Sequence, residues 1–110
     1  MNRIIEVRGK RENCGPLRLP EPIYEAIESW IEHGYEPGHF TTAVLCNDLA
    51  ESIGRADETS LLCLADIVKY VYNEAPGPCW GSKEKFVAWK KMHEERRRHD
   101  SVPESDPAPR

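Results

Sequence analysis

The sequence predicts a mainly α protein: a compact bundle of three to four short helices, with an N-terminal arm or short strand and a disordered C-terminal tail. Four stretches between residues 22 and 98 carry apolar residues at helical spacing. Residues typical of helix ends bound these stretches. The length of 110 residues suits one domain with a small core. We therefore expect an arm over residues 1–20, a helical domain over residues 21–98 and a tail over residues 99–110.

The two ends of the chain differ in composition from its centre. Ile4, Ile5 and Val7 favour a short strand, and the glycines and prolines that follow disfavour a helix. From His99 onward, Ser, Pro, Asp and Glu dominate and few apolar residues remain to be buried, which is typical of a disordered segment.

The first helix is predicted over residues 22–33. Pro22 suits the first turn because the N–H that proline lacks would be unpaired there, and Gly34 suits a left-handed cap. One apolar stripe follows at helical spacing: Ile23, Ala26, Ile27, Trp30 and Ile31. A second helix is predicted over residues 39–53, ending at Gly54. It is apolar around much of its circumference, which indicates a central position.

The third helix is predicted over residues 58–73, with Asp57 as its N-cap. Its main stripe should be Leu61, Leu64, Ala65, Val68 and Tyr72, widened by Leu62, Ile67 and Val71. The fourth helix should begin after Ser82 and run to about residue 98. The apolar excess on the second and third helices, including Leu45, Leu62, Ile67 and Val71, predicts an interface between chains.

Charge and cysteine content disfavour several classes of function. The net charge is −4, with eleven acids and two bases over residues 21–75 and an excess of bases near both ends. Duplex nucleic acid requires a continuous basic face, and we interpret the arginines at 96–98 as a solvated helix end. The four cysteines lack metal-ligand spacing, which disfavours a metal site. Cys46 and Cys63 fall inside apolar helical stretches, and this usage fits a reducing cytoplasm. No apolar run reaches the roughly 18 residues of a membrane span, and no leader pattern is present.

Binding fits the residues better than catalysis. None of the common catalytic or phosphate-loop motifs occurs, so we expect neither enzymatic activity nor a cofactor. Aromatic rings can stack on bases, and hydroxyl, amide and cationic groups can hold phosphates. The chain offers both kinds in Tyr24, Tyr35, Tyr70, Tyr72, Trp80, Thr41, Thr42, Asn47, Arg55 and Ser82. Packing explains Tyr72 and Trp80 equally well.

Four short sequence motifs follow one another along the chain: H-G-x-x-P-G-x-F-x-T-A-V-L-x-N-D-L from residue 33, G-R-A-D-E from 54, Y-V-Y-N-x-A-P from 70 and C-W-G-S from 79. With the Lys/Glu-rich helix that follows, this order resembles small helical phage proteins that counter CBASS, the cyclic-oligonucleotide-based bacterial defence. Members of that family are sponges, which bind the host's cyclic di- and trinucleotides without degrading them. The resemblance covers about residues 20–90 and implies a hexamer acting in the host bacterial cytoplasm.

The resemblance also implies where ligands bind. Tyr24 matches the family's base-stacking tyrosine of a dinucleotide pocket shared between protomers, and His39 and Thr41 match its phosphate-binding positions. For a trinucleotide site where three protomers meet, chemistry and position nominate Asn47, Arg55, Lys69 and Ser82. His39 departs from the lysine that would hold phosphate more strongly, because its charge changes near neutral pH. The main alternative is a non-enzymatic interaction module that binds a host protein through its helical surface.

Overall fold

The computed structural model describes residues 3–8 and 16–105, with side chains up to Arg98. The protein is mostly helical with a short two-stranded antiparallel sheet. In chain order the elements are β1 Ile4–Arg8, β2 Pro16–Pro20, α1 Glu21–His33, α2 His39–Leu45, α3 Leu49–Arg55, α4 Glu58–Leu62, α5 Leu64–Glu74, a 3₁₀ turn Gly77–Cys79 and α6 Lys83–Ser105. The described ranges thus hold six α-helices where three to four were predicted, because two predicted helices are each divided.

The strand predicted near the N-terminus is present and pairs with a second one. β1 and β2 are antiparallel, with Ile5 opposite Leu19 and Val7 opposite Leu17. Leu17 and Leu19 are buried and belong to the main core, because β2 packs against α5. The backbone N–H of Arg18 also donates to the carboxylate of Asp66 on α5 at 2.9 Å. Residues 1–2 and 9–15 of the predicted arm lie outside the described residues.

Helix α1 has the ends that were predicted. Pro22 lies in its first turn, and Gly34 caps its C-terminus in the left-handed conformation, with φ of 70° and its N–H donating to Trp30 O. Trp30 is fully buried at the centre of the core. Its ring stacks on Phe86 of α6 at 4.2 Å, and its Nε1 donates to Cys79 O at 2.9 Å.

The second predicted helix is divided into α2 and α3, so the prediction of one helix over residues 39–53 was wrong. Asn47 lies between them with φ of 62°, a left-handed conformation that asparagine adopts more readily than most residues. Asp48 then caps α3 by accepting from Glu51 N at 3.1 Å. Most of α2 after His39 is buried, whereas Leu49 and Ile53 of α3 are exposed.

The third predicted helix is divided at Cys63 into α4 and α5. Asp57 caps α4 as predicted, accepting from Ser60 N at 2.7 Å. The predicted orientation was wrong: Ile67 and Val71 are fully buried, while most of the predicted main stripe is exposed, namely Leu61, Ala65, Val68 and Tyr72. β2 and the core cover the face of α5 that carries Ile67 and Val71.

Helix α6 begins where predicted, because Ser82 Oγ accepts from Lys85 N at 3.1 Å. It ends at Ser105, so it continues through the first seven residues of the segment predicted to be a tail. Extending a formed helix costs much less than starting one. Residues 106–110 of the predicted tail lie outside the described residues. In the part of the chain that the structure describes, no helix combines the length and apolar character needed to cross a bilayer.

Candidate functional site

One cleft brings together residues that were predicted for different ligands. It has a volume of about 320 Å³ and lies between α2, α3 and the start of α6. We call it the α2–α6 cleft, and its lining is His39, Thr42, Ala43, Cys46, Asp48, Glu51, Arg55 and Lys83. His39 was predicted for a dinucleotide and Arg55 for a trinucleotide. Asn47 and Ser82, also predicted for a trinucleotide, are sequence neighbours of lining residues.

Backbone contacts fix the shape of the α2–α6 cleft. Gly81 N donates to Leu45 O at 2.8 Å, which holds the start of α6 beside the end of α2. Gly81 has φ of 115°, a backbone conformation that residues other than glycine rarely adopt. Ser82 then caps α6. Lys83 is the first residue of the helix and is thereby placed at the cleft.

The charges in the α2–α6 cleft are mixed. Arg55 Nε lies 2.7 Å from Glu51 Oε2, with both side chains about half exposed, so this pair contributes little stability and remains open to exchange. Asp48 is engaged as the cap of α3. Lys83 makes no ion pair within the described residues, so its ammonium group is available to an anion.

Cys46 is the one thiol in the lining of the α2–α6 cleft. Burial raises its pKa, and the nearby charge of Lys83 opposes that shift only in part. The thiol is therefore protonated at neutral pH and is a poor nucleophile. The cleft combines cationic, hydroxyl and imidazole groups, which suit binding of a phosphate.

Tyr24 lies in a different cavity from His39. This cavity has a volume of about 220 Å³ and lies between β1, α1 and α5. The ring of Tyr24 packs edge-on against Tyr70 at 5.7 Å, and Tyr70 Oη donates to the Glu28 carboxylate. Burial, together with this hydrogen bond, raises the pKa of Tyr70. Glu32 and Glu74 also line the cavity, together with one base, Arg8, so within one chain Tyr24 lies beside an excess of carboxylates, which disfavours a phosphate.

Thr41 and Lys69 belong to neither cavity. Thr41 is 2% exposed, so its side chain is part of the interior of α2 and is closed to a ligand in this conformation. Lys69 is exposed on α5, where Asn73 Nδ2 donates to its carbonyl oxygen at 2.9 Å. The structure therefore joins His39 with Arg55, and leaves Tyr24, Thr41 and Lys69 apart from them.

A third cavity, of about 440 Å³, lies where the end of α1 meets α6. Its lining is Glu32, His33, Tyr35, His93, Arg96 and Arg97, and we call it the α1–α6 site. The arginines at 96–98 were predicted to be a solvated helix end, and no role was predicted for His93. The available signal was the i, i+4, i+8 spacing of Trp89, His93 and Arg97, which puts an aromatic ring, an imidazole and a guanidinium on one helix face.

Within the described ranges, no group of three or more His, Cys, Asp or Glu side chains could hold a metal ion. Comparison of the chain with protein-family models, curated proteins and solved structures finds no match.

Proposed function

We propose that this protein is a phage counter-defence sponge, which binds host cyclic di- and trinucleotides without degrading them and so blocks activation of the CBASS effector. The α2–α6 cleft is the observation that carries the proposal, because it gathers His39, Arg55 and Lys83 around one cavity. The motif order over residues 33–82 supports it. The protein would act in the cytoplasm of the infected host.

The size of the α2–α6 cleft favours a site shared between chains. At about 320 Å³, it is at the small end of the range of roughly 300–1,000 Å³ for small-molecule pockets. It suits one phosphate with its sugar better than a whole cyclic oligonucleotide. Its lining residues also include no tyrosine or tryptophan, so a base that stacks on a ring of this kind needs it from elsewhere, such as Tyr24 of another copy.

Exposed apolar residues on α4 and α5 support assembly of the chain with other copies, and the resemblance implies that six copies assemble. Of the residues nominated from sequence for the interface, Leu45, Ile67 and Val71 are core residues, and Leu62 is 82% exposed. Leu61 of α4 is exposed as well, and on α5 Ala65, Val68 and Tyr72 are exposed at positions i, i+3 and i+7. Such a stripe on a helix is typical of a surface that packs against a partner, and like chains commonly close such surfaces symmetrically.

Binding at the α2–α6 cleft can be tested with a matched pair of lysine variants on α6. We expect cyclic di- or trinucleotides to raise the melting temperature, since a ligand that binds only the folded state must do so. Lys83→Gln should weaken binding by about tenfold or more, the effect of losing one hydrogen bond to a charged group. Lys91→Gln, an exposed lysine outside the cleft, should bind as the wild type does. Equal effects of the two variants would exclude the cleft as the site.

Sequestration without turnover can be tested on the same samples. Ligand released by heating should be recovered intact by chromatography, because the cleft has no activated nucleophile. Linear or monomeric products would show that the protein is a nuclease and not a sponge.

The exposed stripe also favours the second candidate, an interaction module that binds a host protein. Light scattering coupled to size exclusion separates the two functions. If the protein is a hexameric sponge, its mass in solution should be about six times the chain mass of 12.6 kDa. Leu62→Glu should then reduce both this mass and the binding of cyclic nucleotides. A monomer that binds no cyclic nucleotide would favour the interaction module.

A further inference from the structure

The α1–α6 site is built on a rigid contact between two helices. Trp89 Nε1 donates to Trp30 O at 2.9 Å, and Arg97 Nη1 donates to His33 O at 2.5 Å. Between these contacts His93 packs directly on Gly34. Two donors about two turns apart on α6 therefore bind the last turn of α1, and His93 packs between them, which fixes the position of the site before any ligand arrives.

An aromatic and cationic stack forms one wall of the α1–α6 site. The rings of His33 and Tyr35 are stacked, with centroids 5.1 Å apart and planes 26° from parallel. Arg97 Cζ lies 5.0 Å from the centroid of the Tyr35 ring, a cation–π contact. Tyr35 nevertheless stays 52% exposed. This stack offers a planar ligand the kind of surface on which nucleobases pack.

The charges around the α1–α6 site favour an anion. Among the described residues that line the site, two are arginines, Arg96 and Arg97, and one is acidic, Glu32, whose carboxylate lies 3.7 Å from His33 Nε2. Burial, followed by the charges of Arg96 and Arg97, lowers the pKa of His93, so this imidazole is neutral at pH 7. The positive charge at the site therefore comes from the two guanidinium groups, which bind phosphate oxygens well.

A buried nitrogen in the α1–α6 site lacks a hydrogen-bond partner. His93 is 7% exposed, and its Nε2 makes no hydrogen bond among the described residues. An unpaired buried polar group costs about 1–3 kcal/mol. An imidazole that lines the site thus carries an unsatisfied nitrogen beside the His33 and Tyr35 rings and the two guanidinium groups.

We propose that the α1–α6 site binds a nucleotide, a small ligand that joins a planar base to a phosphate. The base packs against the His33 and Tyr35 stack, and the phosphate is held by Arg96 and Arg97. This site is separate from the α2–α6 cleft, and the proposal does not depend on the sponge function. It assigns the aromatic and basic residues after α1 and in the middle of α6 to ligand recognition.

The test is calorimetric titration of the full chain with 5′-AMP, adenosine and inorganic phosphate. We expect 5′-AMP to bind at least about tenfold more tightly than either part, because only the nucleotide engages both stack and guanidinium groups. Tyr35→Ala should weaken 5′-AMP binding by about five- to a hundredfold, and Tyr35→Phe, which keeps the ring, by much less. Arg96→Gln should weaken it by about tenfold, whereas Arg98→Gln, an arginine outside the site, should not.

Three results would overturn the proposal: no binding of 5′-AMP, equal binding of phosphate alone, or equal effects of Arg96→Gln and Arg98→Gln. Lys83→Gln separates this site from the α2–α6 cleft. If Lys83→Gln abolished 5′-AMP binding and Arg96→Gln did not, the nucleotide would lie in the cleft. Conversely, 5′-AMP binding that depends on Arg96 would support the α1–α6 site even if no cyclic nucleotide bound to the protein.

Discussion

Replacing Gly34 by alanine should destabilise the protein strongly. Gly34 has φ of 70°, and an alanine held in the left-handed conformation costs about 1–2 kcal/mol. Its Cβ would also lie 2.5 Å from His93 Cβ and 2.8 Å from His93 Cγ, so something must shift. Overpacking of this kind costs typically about 1–3 kcal/mol. The expected loss in the free energy of unfolding is therefore about 2–5 kcal/mol.

Gly54→Ala is the matched control. Gly54 lies inside α3, and a Cβ there would meet nothing within 4 Å. Alanine in a helix is more stable than glycine by about 0.5–1 kcal/mol, so this substitution should be slightly stabilising. The same chemical change thus has opposite signs at the two positions.

Urea unfolding followed by tryptophan fluorescence measures both effects. With a slope of about 1–3 kcal/mol per M, Gly34→Ala should lower the unfolding midpoint by roughly 1 M or more, and Gly54→Ala should raise it slightly. The variants must be compared at one protein concentration, because assembly would add to the apparent stability. If the two midpoints moved together, or Gly34→Ala left the midpoint unchanged, the close packing of α6 on Gly34 would be refuted.

Trp30→Phe should cost about 1–3 kcal/mol in the same urea assay, because the buried Cys79 carbonyl loses its hydrogen-bond donor. Hydrogen bonds from Ser60 lower the pKa of the Asp57 carboxyl below its ordinary value of 3.8. The stability from this cap is therefore present above about pH 4 and is lost as the pH falls through the lower, folded-state pKa. Asp57→Asn keeps a cap that does not titrate, so the urea unfolding midpoint of this variant should change less with pH between pH 2 and 5 than that of the wild type. N-ethylmaleimide followed by peptide mass mapping should label Cys46 before the two buried thiols, Cys63 and Cys79, and labelling in the opposite order would contradict the described burial.

The sequence predicts helix ends well because the signals for them are local. Each of these helix ends is formed by a hydrogen bond between residues three or four positions apart, as at Gly34, Asp57 and Ser82. The break at Asn47 also had a local signal, since a residue that tolerates positive φ precedes a good N-cap. Periodic apolar residues on both sides concealed it. The break at Cys63 has no comparable signal in the sequence.

The orientation of α5 and the candidate sites depend on contacts between distant residues. The helical pattern of residues 61–72 allows two faces, and β2 selects one of them through contacts such as Arg18 with Asp66. The α2–α6 cleft likewise requires the hydrogen bond from Gly81 to Leu45. His39 and Arg55 were predicted as candidates, but the sequence does not show that they line one cavity. The α1–α6 site was not predicted, because residues on two helices complete it.

Helix α6 has a mechanical consequence for anything attached near its end. It has 23 residues, about 34 Å at 1.5 Å per residue, and its contacts with α1 lie between Trp89 and Arg97. From His93 to Ser105 the helix axis extends about 18 Å. A rigid rod of that length converts a tilt of about 5° at the contact into a displacement of about 1.5 Å at its end. The helix therefore magnifies small movements at the α1–α6 site. A pair of distance probes, one on the core and one near residue 105, would detect them.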